Sequence, residues 1–285
     1  VITHDPRTHT QVTLGWDAGP FNHYPDALVR REKDEPCDRD GRYGGAGRVH
    51  VELLRRLFDS AAVTRDGKNY LLLPPPKSSD PEWYRLPAEL SGEPPVGGQG
   101  LTFEDRVRTA EYFAAYVCFH ALCGLPEALE MPGHYALCGG GWRNPVVRAH
   151  FEALMRGDGS SPVLPEHQTL FSRARQRLQA HGTLSIEAAE AYGFDGTVME
   201  ARAFADAAVC RITGEPFTDT AITGVPRPAV CGLIRFPGGD EAKATPALRA
   251  WLDRYRSRTL TREPPGTHHP CWSRAVAGWS DRFTS

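Results

Sequence analysis

Apolar and polar positions change period several times along this chain, and each change predicts an element. Val12, Leu14 and Trp16 alternate with Thr13 and Gly15, the two-residue period of a strand with one buried face. With Val1-Ile2-Thr3-His4 ahead of it and Asp5-Pro6-Arg7-Thr8 between, residues 1–16 predict a β-hairpin. Asp17 falls at the strand's end, and Gly19-Pro20 forces a turn before a helix at Asp26-Ala27-Leu28-Val29. Val49, Val51, Leu53, Leu54 and Leu57 predict a short helix. The strongest helical pattern follows Thr102 as N-cap, with Asp105 in the capping-box position, apolar Val107, Ala110, Phe113, Ala114, Val117 and Leu122, and Gly124 as the stop. Tyr135-Ala136-Leu137-Cys138 reads as a short buried strand feeding Gly139-Gly140-Gly141. Asn144 then serves as N-cap and Pro145 as first residue of a helix over 146–155.

Further on, Gln168–Ala180 and Ile186–Tyr192 read as helical pieces, and Val198–Ile212 as an alanine-rich helix whose Ala201, Ala205 and Ala208 permit close packing. Ala229–Phe236 reads as a strand, and Thr245–Arg256 and Cys271–Phe283 as amphipathic helices. The charged, glycine-rich stretch 34–48 predicts a surface loop, residues 91–100 a second loop, and Pro74-Pro75-Pro76 an extended path. Strands mixed with long helices give an α/β class, with no internal repeat.

Composition narrows the function classes. The chain has 285 residues, 40% of them apolar, enough for one large or two ordinary domains. A formal charge of −2 gives no reason to expect nucleic acid or an anionic membrane as partner. The apolar run Tyr112–Leu122 is too short to span a bilayer, and no cleavable signal pattern is visible. Seven cysteines without a CxxC pair argue against zinc and for buried free thiols in a reducing cytosol, so a cytoplasmic location is expected. His268 and His269 are adjacent and poorly placed to share one ion, so no metal site is expected there.

Two turns carry the candidate chemistry. Asp17, at a strand end before Gly-Pro, could take a proton from an attacking oxygen beside a nucleotide phosphate; the ordinary alternative is an Asp that caps its own turn. Gly139, Gly140 and Gly141 could let backbone N–H groups approach an anion at a helix N-terminus; the alternative is a tight strand–helix crossover. No Gly-Lys-Ser/Thr follows, so this is not a Walker loop. Glu200 opens the alanine-rich helix, where the helix dipole favours a carboxylate in any case. Lys77 could meet a phosphate or a sugar, or be a solvated loop lysine.

In their order these motifs resemble the anhydro-N-acetylmuramic acid kinase family, whose eukaryotic relatives include levoglucosan kinase. Gly15-Trp16-Asp17-Ala18-Gly19-Pro20-Phe21-Asn22 is similar to the family's G-F-D-T-G-P-G-N, and Asp26-Ala27 to its D-A pair. Asp38-Arg39-Asp40-Gly41 with Gly45-Ala46-Gly47-Arg48-Val49 resembles D-K-D-G…G-K-V, and Pro75-Pro76-Lys77-Ser78-Ser79 resembles P-P-K-S-T. Leu137-Cys138-Gly139-Gly140-Gly141-Trp142-Arg143-Asn144-Pro145 is close to L-C-G-G-G-A-R-N-P, and Glu200-Ala201-Arg202-Ala203-Phe204-Ala205 to E-A-L-A-F-A. Thr223-Gly224 followed by Gly232-Leu233-Ile234 resembles its closing strand.

The resemblance implies an actin-like ATPase fold built of RNase H-like lobes, and a kinase that opens a 1,6-anhydro sugar with water and phosphorylates its 6-oxygen from ATP with Mg²⁺. Asp17 would be the base. Gly139, Gly140, Gly141, Asn144 and Glu200 would hold the nucleotide, and Gly19, Pro20, Asn22 and Lys77 the sugar. Residues 1–240 would form the C-terminal part of such a kinase, an RNase H-like lobe with inserted helices, and residues 241–285 a helical C-terminal extension. The family's N-terminal lobe has no counterpart in the sequence, and Val1 standing inside a strand is expected of a fragment or a truncated gene model. The chain departs from the family at Ala18 (Thr), Phe21 (Gly) and Trp142 (a small residue). A catalytically inactive binding or scaffold protein, or a kinase of another sugar, stays open as an alternative, as do the choice of anhydrosugar and a homodimer.

Overall fold

The computed structural model describes residues 1–60, 67–74, 77, 84, 90, 100–159, 161–180, 182–218, 220–223, 225–233, 250 and 254. The hairpin forms as its pattern requires: β1 (Ile2–Asp5) pairs antiparallel with β2 (Thr10–Thr13), Thr3 opposite Val12. Its ladder runs one step further, with the Val1 amino group donating to the Leu14 carbonyl at 2.7 Å and Leu14 N–H to the Val1 carbonyl at 2.8 Å. Buried Asp5 holds the connecting turn by accepting from the Arg7 backbone N–H and its guanidinium.

The core is organised around α3 (Phe103–Cys123), whose Tyr112, Phe113, Tyr116 and Phe119 are fully buried. Thr102 caps it as expected, its hydroxyl accepting the Asp105 N–H at 3.1 Å. The other half of the expected capping box is absent, because the Asp105 carboxylate accepts from Arg48 N–H instead. Gly124 ends the helix with φ −75°, without the left-handed turn expected of a glycine stop.

Four helices pack on α3: α1 (His23–Lys33), α2 (Val51–Ser60), α4 (Pro145–Arg156) and α5 (Gln168–Ala180). Each contributes an apolar stripe, Leu28 and Val29 from α1, Leu53, Leu54 and Leu57 from α2, Phe151 and Leu154 from α4, Phe171 and Leu178 from α5. Burying each of these side chains is worth about 1.5–3 kcal/mol.

Beside this bundle, β3 (His134–Leu137) pairs parallel with β4 (Ser185–Ala188) across the α4–α5 connection. Here the helical expectation for Ile186–Tyr192 fails. The stretch is too short to propagate a helix alone, and pairing Ile186 with Tyr135 makes it a strand, followed by one 3₁₀ turn at Ala189–Tyr192. The loop 34–48 is largely exposed, as expected of a surface loop, but Asp38, Gly41 and Gly44 within it are buried against α3 and α4.

Helix α6 (Met199–Thr213) ends at left-handed Gly214. Its close packing is not realised among the described residues: Ala201, Ala205 and Ala208 are exposed, and Phe204 is 70% exposed. A short α7 (Thr220–Thr223) lays Ile222 against Gly15, where a Cβ would collide with it. Residues 229–233 are irregular rather than extended in a sheet; the rest of the expected strand Ala229–Phe236 and the helix Cys271–Phe283 lie outside the described residues. Of Thr245–Arg256, positions 250 and 254 are described, and both are helical. The architecture is therefore mixed α/β, with small sheets among many helices. Among the described residues no helix is long and apolar enough to cross a membrane. Among the described residues the cysteines form no disulfide; Cys123 and Cys210 are buried but Cys138 is exposed, so the expectation of buried thiols holds only in part.

Candidate functional site

The hairpin delivers Asp17 to the surface on a clamped backbone. Its N–H donates to the Lys77 carbonyl at 3.1 Å, and its carbonyl accepts from the Tyr70 hydroxyl at 2.9 Å. Lys77 is not the solvated loop lysine of the ordinary reading. It lies over the Tyr70 ring at 4.5 Å and its Nζ donates to the Tyr70 and Leu71 carbonyls at 2.9 and 3.2 Å. Burial pushes its pKa down to about 7, against the opposing pull of the Asp17 charge. Pro20 is buried, and Gly19 sits where a Cβ would press on Leu71 and Val117, both at 3.1 Å. Asn22 precedes α1 and donates to Asp26 at 2.8 Å. Pro75, Pro76, Ser78 and Ser79 lie outside the described residues.

The second turn leaves β3. Gly139 has φ 97° and ψ 165°, a backbone open in practice to glycine alone, and Gly140–Arg143 then form a 3₁₀ turn into α4. Gly139 and Gly140 have open space where side chains would stand. Gly141 does not: a Cβ there would collide with the Phe21 ring and lie 3.1 Å from Asn22 Oδ1. Leu137 and Ala188, at the C-terminal ends of the parallel strands, line a cleft with Gly139, Trp142, Arg143 and Arg148. Strand ends of this kind are where open α/β sheets hold ligands. Glu190 also lines the cleft, and Arg148 is already paired with Glu152 at 2.8 Å and bonded to the Ile186 carbonyl at 3.1 Å, which leaves Arg143 as the cation facing it.

Asn144 is placed at the turn but faces inward. Its Oδ1 accepts from Val146 N–H (2.9 Å) and Val147 N–H (3.4 Å), capping α4, while Nδ2 donates to Glu111 Oε1 (2.5 Å) and the Asp38 carbonyl (3.4 Å). Its side chain is thus fully committed to structure. Glu111, on α3, is wholly buried, and burial together with the Asp38 charge pushes its pKa up to about 9. Asp38 in turn accepts from Tyr43 and Gly44 N–H. Gly44 must be glycine, for a Cβ would strike the Glu111 carboxyl group. A buried carboxyl thus ties the 38–44 loop to the cap of the glycine turn. Glu111 carried one signal in the sequence, a lone acidic residue within the apolar stripe of the strongest helix.

Glu200 is exposed in the first turn of α6. Four residues earlier, Gly196 backs onto Cys138 and Gly139, where its Cβ would stand 3.5 Å from each. The fold therefore brings the Asp17 turn against the glycine turn through Phe21 and Gly141, and sets the Glu200 helix alongside. Among the described residues no group of three or more His, Cys, Asp and Glu side chains is placed to hold a metal ion. These residues do not fit a resident metal, and an accompanying Mg²⁺ would belong with nucleotide phosphates.

A parallel strand pair running into a glycine turn and a helix N-terminus places this chain among mixed α/β proteins, with a backbone arrangement of the kind at which anions are commonly bound. Residues 8–162 match the family model for anhydro-N-acetylmuramic acid kinase, and the chain belongs to that family. It is 29% identical to the anhydro-N-acetylmuramic acid kinase of Vibrio cholerae over 79% of this chain and 50% of that protein. It is 32% identical to the one of Caulobacter vibrioides and 30% identical to the one of Rhodospirillum rubrum, each over 78% of this chain and 47% of the relative. The chain spans about half the length of these curated relatives.

Proposed function

We propose that this chain is the catalytic-base and nucleotide-turn portion of an ATP-dependent kinase of a 1,6-anhydro sugar, on an actin-like fold. Residues 1–240 would be the RNase H-like lobe with inserted helices, and residues 241–285 an appended helical segment. The observation that carries this reading is the contact of the two turns at Phe21 and Gly141, which joins the turn bearing exposed Asp17 to the glycine turn.

Asp17 accepts a proton from water as the water oxygen bonds to the anomeric carbon. The bond from that carbon to the bridging 6-oxygen breaks, the 6-oxygen takes the γ-phosphoryl group, and ADP leaves. Gly139 and Gly140 offer backbone to the phosphates, Arg143 offsets their charge, and Glu200 stands on the nucleotide side. Gly19, Pro20, Asn22 and Lys77 shape the sugar side, Lys77 mainly by holding the Asp17 backbone in place. Positioning and charge neutralisation supply most of the rate in such transfers.

The test is ADP release with Mg-ATP and either anhydro-N-acetylmuramic acid or levoglucosan, for the wild-type chain and for Asp17→Asn. Sugar-dependent release that falls at least about 100-fold in the variant supports the base assignment, general-base terms being of that size. Release that is independent of sugar, or unchanged in Asp17→Asn, sinks it. A second reading, an inactive member of the family, gains if the chain binds ATP but turns over neither sugar.

A further inference from the structure

We propose that Phe21 is a positioning residue that locks the Asp17 turn to the glycine turn and transmits occupancy of the cleft to the Asp17 side. This rests on the reading of the two turns as the sugar and nucleotide sides of one kinase site.

Phe21 has φ 40°, in the left-handed region that bulky side chains avoid. Glycine would satisfy that backbone without strain, so it is the ring that must hold Phe21 there. The ring meets Trp142 with centroids 4.6 Å apart and planes tilted by 47°. Trp142 in turn lies 5.0 Å from Phe151, a core residue of α4 only 3% exposed. An aromatic column thus runs from the carboxylate turn, across the glycine turn, into the core. Gly141 is part of the same fit, since any Cβ there would enter the Phe21 ring.

Two features turn this packing into a coupling. Trp142 lines the cleft beside Gly139, Arg143 and Arg148, so a ligand there touches the column directly. On the other side, only Ala18, Gly19 and Pro20 separate Phe21 from Asp17, with Pro20 buried and Gly19 wedged against Leu71 and Val117. That short, wedged span has little freedom to absorb a shift at Phe21 before it reaches Asp17.

The experiment compares wild type, Phe21→Gly and Phe21→Tyr in two arms. The first needs no ligand: the alkylation rate of exposed Cys138, next to Gly139, is followed by peptide mass spectrometry alongside the thermal midpoint. Phe21→Gly is expected to raise the rate several-fold at a nearly unchanged midpoint, because backbone strain is relieved as the ring contact is lost, while Phe21→Tyr stays near wild type. The second arm measures the affinity of anhydro-N-acetylmuramic acid and levoglucosan with and without ADP. Wild type is expected to bind one sugar about five- to fifty-fold more tightly with ADP present, the usual span of such couplings. Phe21→Gly is expected to bring that factor near one while changing each separate affinity less than about three-fold.

An unchanged alkylation rate in Phe21→Gly overturns the lock whatever the ligands do. A coupling factor that survives in Phe21→Gly overturns the transmission. If the alkylation rate rises as expected but wild type binds neither ADP nor sugar, the kinase reading has failed; Phe21 is then a structural clamp, and the proposal falls with that reading.

Discussion

Glu111 shows how much a single side chain can connect. It is fully buried on α3, accepts from Asn144 and faces Asp38, so its proton is retained to about pH 9 rather than lost near 4.5. The sign of the pH effect follows by linkage. An unfolded chain loses this proton above about 4.5, whereas the folded chain keeps it, so the group's contribution is complete below about 4.5 and is gone once pH passes about 9. Glu111→Gln keeps the shape and the neutral state without the titration. Urea denaturation from pH 6 to 9 should show wild type losing stability with rising pH and the variant losing less, with Glu111→Gln about 1–2 kcal/mol ahead of wild type at the alkaline end. Parallel curves would mean that the carboxyl is not buried as described. Residue-scale chemistry was only partly visible beforehand. Asp17 and the glycines stood out by motif, while Glu111 and the Phe21–Trp142 pair emerged because α1, α3 and α4 converge on them.

At the scale of elements, the N-terminus of α4 is the decisive structure. Its cap, Asn144, bonds both to the helix and to Glu111. Asn144→Ala removes a cap worth about 1 kcal/mol and strands a buried carboxyl oxygen at about 1–3 kcal/mol, so a loss of about 2–4 kcal/mol is expected by chemical denaturation. Asn144→Ser retains a cap oxygen but not the amide donor and should fall between; equal losses for the two variants would show that Glu111 gains nothing from Asn144. Helices with strong local signals, α3 with its Thr102 cap and α4 with Asn144-Pro145, were legible from a few neighbouring residues. β4 was not, because its identity comes from pairing with β3, where His134 lies opposite Ser185 and Leu137 opposite Ala188, far apart in sequence.

For the molecule as a whole, stability is distributed unevenly. α3 is buried along most of its length, whereas α6 is mostly exposed, with Cys210 its one fully buried residue among those whose burial is described. Hydrogen exchange should therefore be slowest in α3 and α5 and fastest in α6 among the described helices, with local opening well below the global free energy. Equal protection of α6 and α3 would mean that α6 docks on a surface the present fold leaves uncovered. The exposed Phe194, Val198, Phe204 and Leu233 along this part of the chain are the side chains such docking would cover.

The sequence by itself determined the local facts: the hairpin, the capped helices, the glycine turn at a helix start, and a collinear motif order that identified the family. Those rest on interactions within a few residues, or on residue types whose backbone preferences are intrinsic. Only the tertiary structure decided that the two turns meet at Phe21 and Gly141, that Asn144 faces inward, that Lys77 holds backbone carbonyls, and that the 38–47 loop closes over a buried carboxyl. The physical reason is that burial and close approach depend on which distant surfaces the core brings together, and side-chain periodicity carries no record of the partner.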